Sequence, residues 1–236
     1  MLLSVADIDS LLGRIQNKLE GKGEKLVMIG IAGIAGSGKS TLANRLCTAL
    51  NEKTARSCVV VGMDGFHYSK AQLGELFPRF IDSQAQVSVE EAFQRRGAPF
   101  TFDAEAFVKL IERIRKISTG SLPPIRAPAF DHSIGDPIQD IVEIHGDVRV
   151  VIVEGLYLAL DYAPWNRISG LMDELWWLQI DLALAEERLA KRHVASGICK
   201  SLEEARSRIA GNDRINGEHI MKHSIIKSLI TIHCGE

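Results

Sequence analysis

Residues Gly33-Ile34-Ala35-Gly36-Ser37-Gly38-Lys39-Ser40 match the spacing G-x-x-x-x-G-K-[ST], and Thr41 follows them. Glycines let consecutive backbone N–H groups curl around a phosphate chain without Cβ clashes. A helix opening at this point adds its positive end and its unpaired donors. Lys39 brings a mobile charge for β- and γ-phosphates, and the Ser40 hydroxyl can ligate Mg2+. No third glycine stands at Thr41, so the dinucleotide pattern fails. The competing reading is a glycine-rich turn that binds nothing. The apolar run Leu26–Ile31 before the loop and helix-forming residues after it favour a nucleoside triphosphate.

Two carboxylates and a basic group extend this chemistry. Asp64 follows the apolar run Cys58–Val61. Transfer of a phosphoryl group to a hydroxyl needs a carboxylate near the acceptor, although Asp-Gly is also a common turn pair. Glu154 ends the run Val150–Val153, where it can serve Mg2+ through water, hold a substrate, or face solvent. Arg188, Lys191 and Arg192 stand at i, i+3 and i+4, spacing that suits a cationic lid or a solvated face matched to Glu186 and Glu187. Loop positions His67, Tyr68, Arg95, Arg96, Phe102, Asp103, Phe130, Asp131 and His132 are weaker substrate candidates. Asp103 reads equally as a helix cap, and His193 reads as structural.

The elements that must position these groups alternate along the chain. Apolar spacing predicts a helix over Val5–Leu19, ended by Gly21 and Gly23, with Asp7 or Asp9 at its start. Buried strands are expected at Leu26–Ile31, Cys58–Val61, Val148–Val153 and Leu175–Ile180, with a last strand over Ile226–Ile232. Further helices are expected to about Leu50, over 104–117, over 183–196, and from Ser201 towards Ile220, broken near Gly211. Residues 69–100 read as an insertion over the active-site face, and the prolines Pro123, Pro124 and Pro128 as an extended loop. A half-exposed strand follows at Ile138–Ile144. This is one α/β domain over 1–236, a doubly wound parallel sheet with an N-terminal helix in residues 1–25.

Composition narrows the partners. A net charge of −2 gives no basic excess for nucleic acid or an anionic membrane, and no apolar run reaches spanning length. Acidic residues within the first stretch, and no cleavage pattern, argue against a signal peptide. Four scattered cysteines read as reduced thiols, which suits a cytoplasmic protein. Trp176 and Trp177 read as core or as an interface, so a homodimer through them or the N-terminal helix is compatible with the sequence. No metal-ligand spacing of histidine and cysteine is present.

Several segments occur in an order that resembles the phosphoribulokinase/uridine kinase family. They are the Gly33–Ser40 loop, Met63-Asp64-Gly65-Phe66-His67, Arg96-Gly97-Ala98-Pro99-Phe100-Thr101-Phe102-Asp103, Pro128-Ala129-Phe130-Asp131 and Val153-Glu154-Gly155. Arg188 to His193 and Asn212-Asp213 extend the likeness. The resemblance implies a nucleoside-monophosphate-kinase fold with strand order 2-3-1-4-5 and a helical lid over about 183–215. It implies Asp64 as base, Ser40 with Asp64 or Glu154 around Mg2+, and Arg188 and Arg192 as lid charges. It places Asp103 at sugar hydroxyls and Phe130 against a base. His132-Ser133-Ile134-Gly135 departs from the uridine kinase pattern. The expectation is an ATP- and Mg2+-dependent kinase acting on a hydroxyl of a nucleoside- or sugar-like metabolite. The alternative is an ATPase or nucleotide-dependent switch without an acceptor.

Overall fold

The computed structural model describes residues 3–22, 26–77, 87–117 and 123–234. Its strands are β1 (Leu3–Ser4), β2 (Val27–Ala32), β3 (Cys58–Gly62), β4 (Ile125–Asp131), β5 (Asp136–Ile144), β6 (Val150–Gly155), β7 (Glu174–Gln179) and β8 (Ile230–His233). Its α-helices are α1 (Ile8–Lys22), α2 (Lys39–Lys53), α3 (Lys70–Leu76), α4 (Val89–Gln94), α5 (Ala104–Arg115), α6 (Leu182–Ala195), α7 (Leu202–Arg208) and α8 (Arg214–His223).

Six strands form one parallel sheet in the order β1-β8-β7-β2-β6-β3. Leaving out the short edge strand β1 and the hairpin β4–β5, the strands run 2-3-1-4-5 as expected. The runs are apolar throughout because both faces are covered, and alternate residues feed opposite cores. Met28, Val151, Val153 and Trp177 enter one core with Phe107, Ile111 and Trp165. Val27, Ile29, Ile152 and Trp176 enter the other with Leu11, Ile15 and Leu46 from α1 and α2. Trp176 and Trp177 are both fully buried, so neither is an interface residue. No described helix is long and apolar enough to cross a membrane.

Four local expectations change. The N-terminal helix starts at Ile8, because Asp7 Oδ1 accepts the Ser10 N–H at 3.0 Å and Leu3–Ser4 pair with β8 instead. It passes through Gly21, while Gly23 lies outside the described residues. Residues 125–131, expected as a loop, form β4, which pairs antiparallel with β5 in a separate hairpin; Pro128, without an N–H, sits where the register shifts between Ala127 and Ala129. The last strand begins only at Ile230, after a 3-10 turn over Ile226–Ser228. The break expected near Gly211 is a π-turn, Ile209–Asp213, joining α7 to α8 without interruption. Of the segment 69–100, α3 and α4 are described, and residues 78–86 lie outside the described set.

Candidate active site

The sheet order fixes the site. β6 lies between β2 and β3, so Glu154 at its end falls between the loop that follows β2 and Asp64 that follows β3. In register, Glu154 stands opposite Ile31 on one side and Gly62 on the other. Active sites of open parallel sheets gather at such carboxyl ends.

The glycine-rich loop leads directly into α2. Gly36 and Gly38 have φ of +79° and +90°, where a side chain is strained. A Cβ on Gly36 would also meet the Ala185 carbonyl oxygen of α6 at 2.5 Å, so this glycine lets α6 pack on the loop. Gly38 caps α2 without a side chain, leaving the first-turn N–H groups for a ligand. Lys39 is buried, and its Nζ donates to the Ile34 carbonyl at 2.9 Å. Burial holds this ammonium below its ordinary pKa, against the pull of Glu154 and Asp64.

Asp64 sits in the 3-10 turn Met63–Phe66, two residues past the end of β3. The glycine after each acid permits close packing: a Cβ on Gly65 would lie 2.4 Å from the Pro128 carbonyl, and one on Gly155 2.5 Å from Met63 Cβ. Glu154 is only 8% exposed. Burial, then the charge of Asp64, pushes its carboxyl up to about 7, opposed by Lys39, a hydrogen bond with Ser40, and Arg192. A buried acid balanced near neutrality against a buried lysine is a common mark of a functional site.

These groups share a cavity of about 590 Å3 lined by Ala35–Thr41, Asp64, His67, Arg96, Glu154, Arg188 and Arg192, among others. Gly33 and Ile34 lie behind the loop rather than in the lining. Arg188 and Arg192, one turn apart on α6, enter the cavity, whereas Lys191 turns away and pairs with Glu187 at 2.6 Å. The three cations expected on one helix face therefore divide between cavity and solvent. Leu189 and Ala190 of α6 pack with Cys199, Ala205 and Ile209, a small core of its own that touches the loop through Ala35.

On the far side of Asp64, His67 Nδ1 donates to the Asp64 carbonyl at 2.9 Å. Its ring lies 3.9 Å from Phe102 and 5.0 Å from Phe130, and Phe130 lies 5.2 Å from His132. Phe130 and His132 thus stand behind His67, outside the cavity lining. Arg96 lies over Phe130 at 5.6 Å, with its guanidinium bound to the Gly135 carbonyl, Asp136 and the Tyr68 carbonyl. Its charge is committed to the hairpin. Asp103 caps α5, accepting the Ala106 N–H at 2.9 Å, and does not line the cavity.

Sequence reasoning missed several lining groups: Val5, Arg45, Arg208, and the pair His193–Asp213, whose nearest nitrogen and oxygen are 3.4 Å apart. It also missed the buried bridge from the π-turn to residues 95–96, in which Arg95 donates to Asn212 and Asn216, and Asn212 donates to the Arg96 carbonyl. Arg45 had a signal, since it stands one helical turn beyond Thr41. The others depend on which helices meet, and local spacing does not hold that.

The sequence model described as "Phosphoribulokinase / Uridine kinase family" matches residues 28–196. This chain belongs to that family. A Schizosaccharomyces pombe relative with a provisional uridine kinase name is 38% identical over 227 residues, 96% of this chain and 90% of the relative. An ATP-dependent kinase-like protein of Aspergillus versicolor is 42% identical over 163 residues, covering 69% of this chain and 89% of the relative. The crystal structure of YFH7 from Saccharomyces cerevisiae, provisionally described as a P-loop kinase with a circular permutation, superposes with a TM-score of 0.81. It is 25% identical and covers 98% of this chain and 99% of that one. A provisionally described fructose transport system kinase from Silicibacter gives a TM-score of 0.77 at 27% identity, over 97% of this chain and 98% of that one. The family kinase is therefore a phosphotransferase that uses a nucleotide and a small-molecule substrate.

Proposed function

We propose that this kinase transfers the γ-phosphoryl group of Mg·ATP to a hydroxyl of a nucleoside- or sugar-like metabolite. The observation that carries this reading is the meeting of Lys39, Asp64, Glu154, Arg188 and Arg192 on one cavity at the carboxyl ends of β2, β3 and β6. Uridine and fructose, named for two of the similar proteins, are both polyhydroxylated, and the Aspergillus relative is named for ATP.

In this reading the loop amides and Lys39 hold the phosphates. Asp64 takes the proton of the acceptor hydroxyl, and Arg188 and Arg192 neutralise charge on the transferred group. The donors present fit Mg2+: the Ser40 hydroxyl and the Glu154 and Asp64 carboxylates are hard oxygens. Glu154 has a protonation balance that a cation would tip towards the carboxylate. Among the described residues no cluster of three or more His, Cys, Asp or Glu is suited to a metal, so phosphates and water would complete the shell. When bound, Mg2+ supplies charge neutralisation at the β- and γ-oxygens.

The test is ADP release from Mg·ATP against a panel of nucleosides, nicotinamide riboside, sugars, pantothenate and glycerate. Release that requires a nucleoside or sugar supports the proposal. Hydrolysis that no acceptor accelerates would instead make the protein an ATPase or switch.

A further inference from the structure

The two ends of the described chain meet at the loop, and both lie outside residues 28–196. β1 pairs in parallel with β8, with Leu3 opposite Ile232 and Ser4 opposite His233. The pairing continues as the Val5 N–H donates to the His233 carbonyl at 3.1 Å. On β8's far end, the Cys234 thiol donates to the Ser37 carbonyl of the loop at 3.2 Å, and the Cys234 N–H donates to Gln179. Val5, half-buried, is thereby brought to the cavity that Thr41, Leu42 and Arg45 of α2 also line.

A phosphate chain on this loop has a direction. Lys39 serves the β- and γ-phosphates, and the acceptor end carries Asp64 and Glu154. The nucleoside must leave from the other end, along α2. Arg45 lies one helical turn past Thr41, on the same helix face. It is exposed and makes no ion pair among the described residues, so its guanidinium is not committed elsewhere. A planar guanidinium and a valine side chain lining the same cavity offer stacking and apolar contact, the chemistry that holds a purine ring.

We infer that Val5 and Arg45 form the subsite for the purine base of the nucleoside triphosphate, with the β1 segment as its wall. The inference rests on the proposed nucleotide site and adds to it Val5, from a strand outside the family match, together with Arg45 of α2. Val5 has no donor or acceptor for the base edge, and a guanidinium stacked on the ring face keeps its in-plane donors turned away from that edge. The subsite therefore recognises a purine by its ring face and discriminates weakly between adenine and guanine.

The experiment is calorimetric binding of two magnesium-loaded probes, ATP and inorganic tripolyphosphate, to the full chain and to Arg45→Ala, Val5→Asp and Lys39→Ala. Arg45→Ala is an exposed helix position where alanine is a better helix former, so the fold is kept. The wild type should bind ATP more tightly than tripolyphosphate. Arg45→Ala and Val5→Asp should each weaken ATP about tenfold while leaving tripolyphosphate within about twofold. Equal weakening of both probes by Arg45→Ala would make Arg45 a phosphate contact and overturn the inference. Unchanged ATP binding in both variants would overturn it too. If neither probe binds the wild type, or Lys39→Ala binds both as well as the wild type, the nucleotide site itself is wrong.

Discussion

His67 Nδ1 donates its proton to the carbonyl oxygen of Asp64, 2.9 Å away, and so ties the imidazole to the backbone of the proposed base. A carbonyl only accepts, so the proton sits on Nδ1 and Nε2 keeps its lone pair. Burial lowers the His67 pKa, against the charge and carbonyl of Asp64, which keeps the ring neutral near pH 7. The ring also wedges the Asp64 turn against Phe102 and Phe130. His67→Ala is expected to lower kcat/KM about tenfold by loosening Asp64. His67→Asn, whose amide can donate to the same carbonyl, should recover part of the loss. Equal rates for wild type and His67→Ala would remove His67 from the site's positioning.

Glu154 gives a pH signature. Burial pushes its carboxyl up to about 7 in the folded protein, from an ordinary 4.5, so between these pH values the native state binds more protons than the unfolded chain. Stability of the protein without nucleotide should therefore fall as pH rises from about 5 to about 7, and level off above. Glu154→Gln removes the titration. The variant's advantage in thermal melts should grow from pH 5 to pH 8, by on the order of 3 kcal/mol at most. A constant gap across that range would contradict the burial of an ionisable Glu154.

Gly65 seats the Asp64 turn on β4. A methyl there would collide with the Pro128 carbonyl, and backbone cannot swing aside as a side chain can. Gly65→Ala is expected to cost about 2 kcal/mol of stability, read from chemical denaturation, and to lower activity more than that loss explains. An unchanged midpoint would mean that the turn and hairpin are not packed this closely.

Arg192 and Lys191 are neighbours in sequence with opposite surroundings. Arg192 lines the cavity and acts on both Glu154 and Lys39, while Lys191 is paired with Glu187 in solvent. Arg192→Ala should lower kcat by about 100-fold or more, on the scale of losing one charge contact to the transferred group. Lys191→Ala should stay within about twofold. Similar losses for both would favour a general electrostatic role of α6.

Much of this architecture was legible because it is written locally. Val27–Ala32 is apolar at every position, and only a strand covered on both faces needs that. The glycines and lysine of residues 33–40 specify a phosphate loop by spacing alone. Asp64 and Glu154 stood out as acids ending such strands. The hairpin β4–β5 was half hidden, because three prolines in its approach argue for a loop even though Pro128 sits harmlessly at the register shift. The strand β1 is two residues long and carries no periodicity. The Arg95–Asn212–Asn216 bridge joins residues more than 100 positions apart, and no single segment foretells it. Asp103 shows the reverse difficulty: one residue type suits both a cap and a substrate contact, and the geometry found is the cap.

The central claim is that Asp64 serves the acceptor hydroxyl. The most direct test is acceptor-dependent ADP release by Asp64→Asn beside the wild type, with ATP binding measured on both. The account predicts a fall in kcat of about 100- to 10,000-fold with ATP affinity within a few-fold, the scale of losing a positioned proton acceptor. An Asp64→Asn protein that keeps most of its kcat on the same acceptor would contradict it.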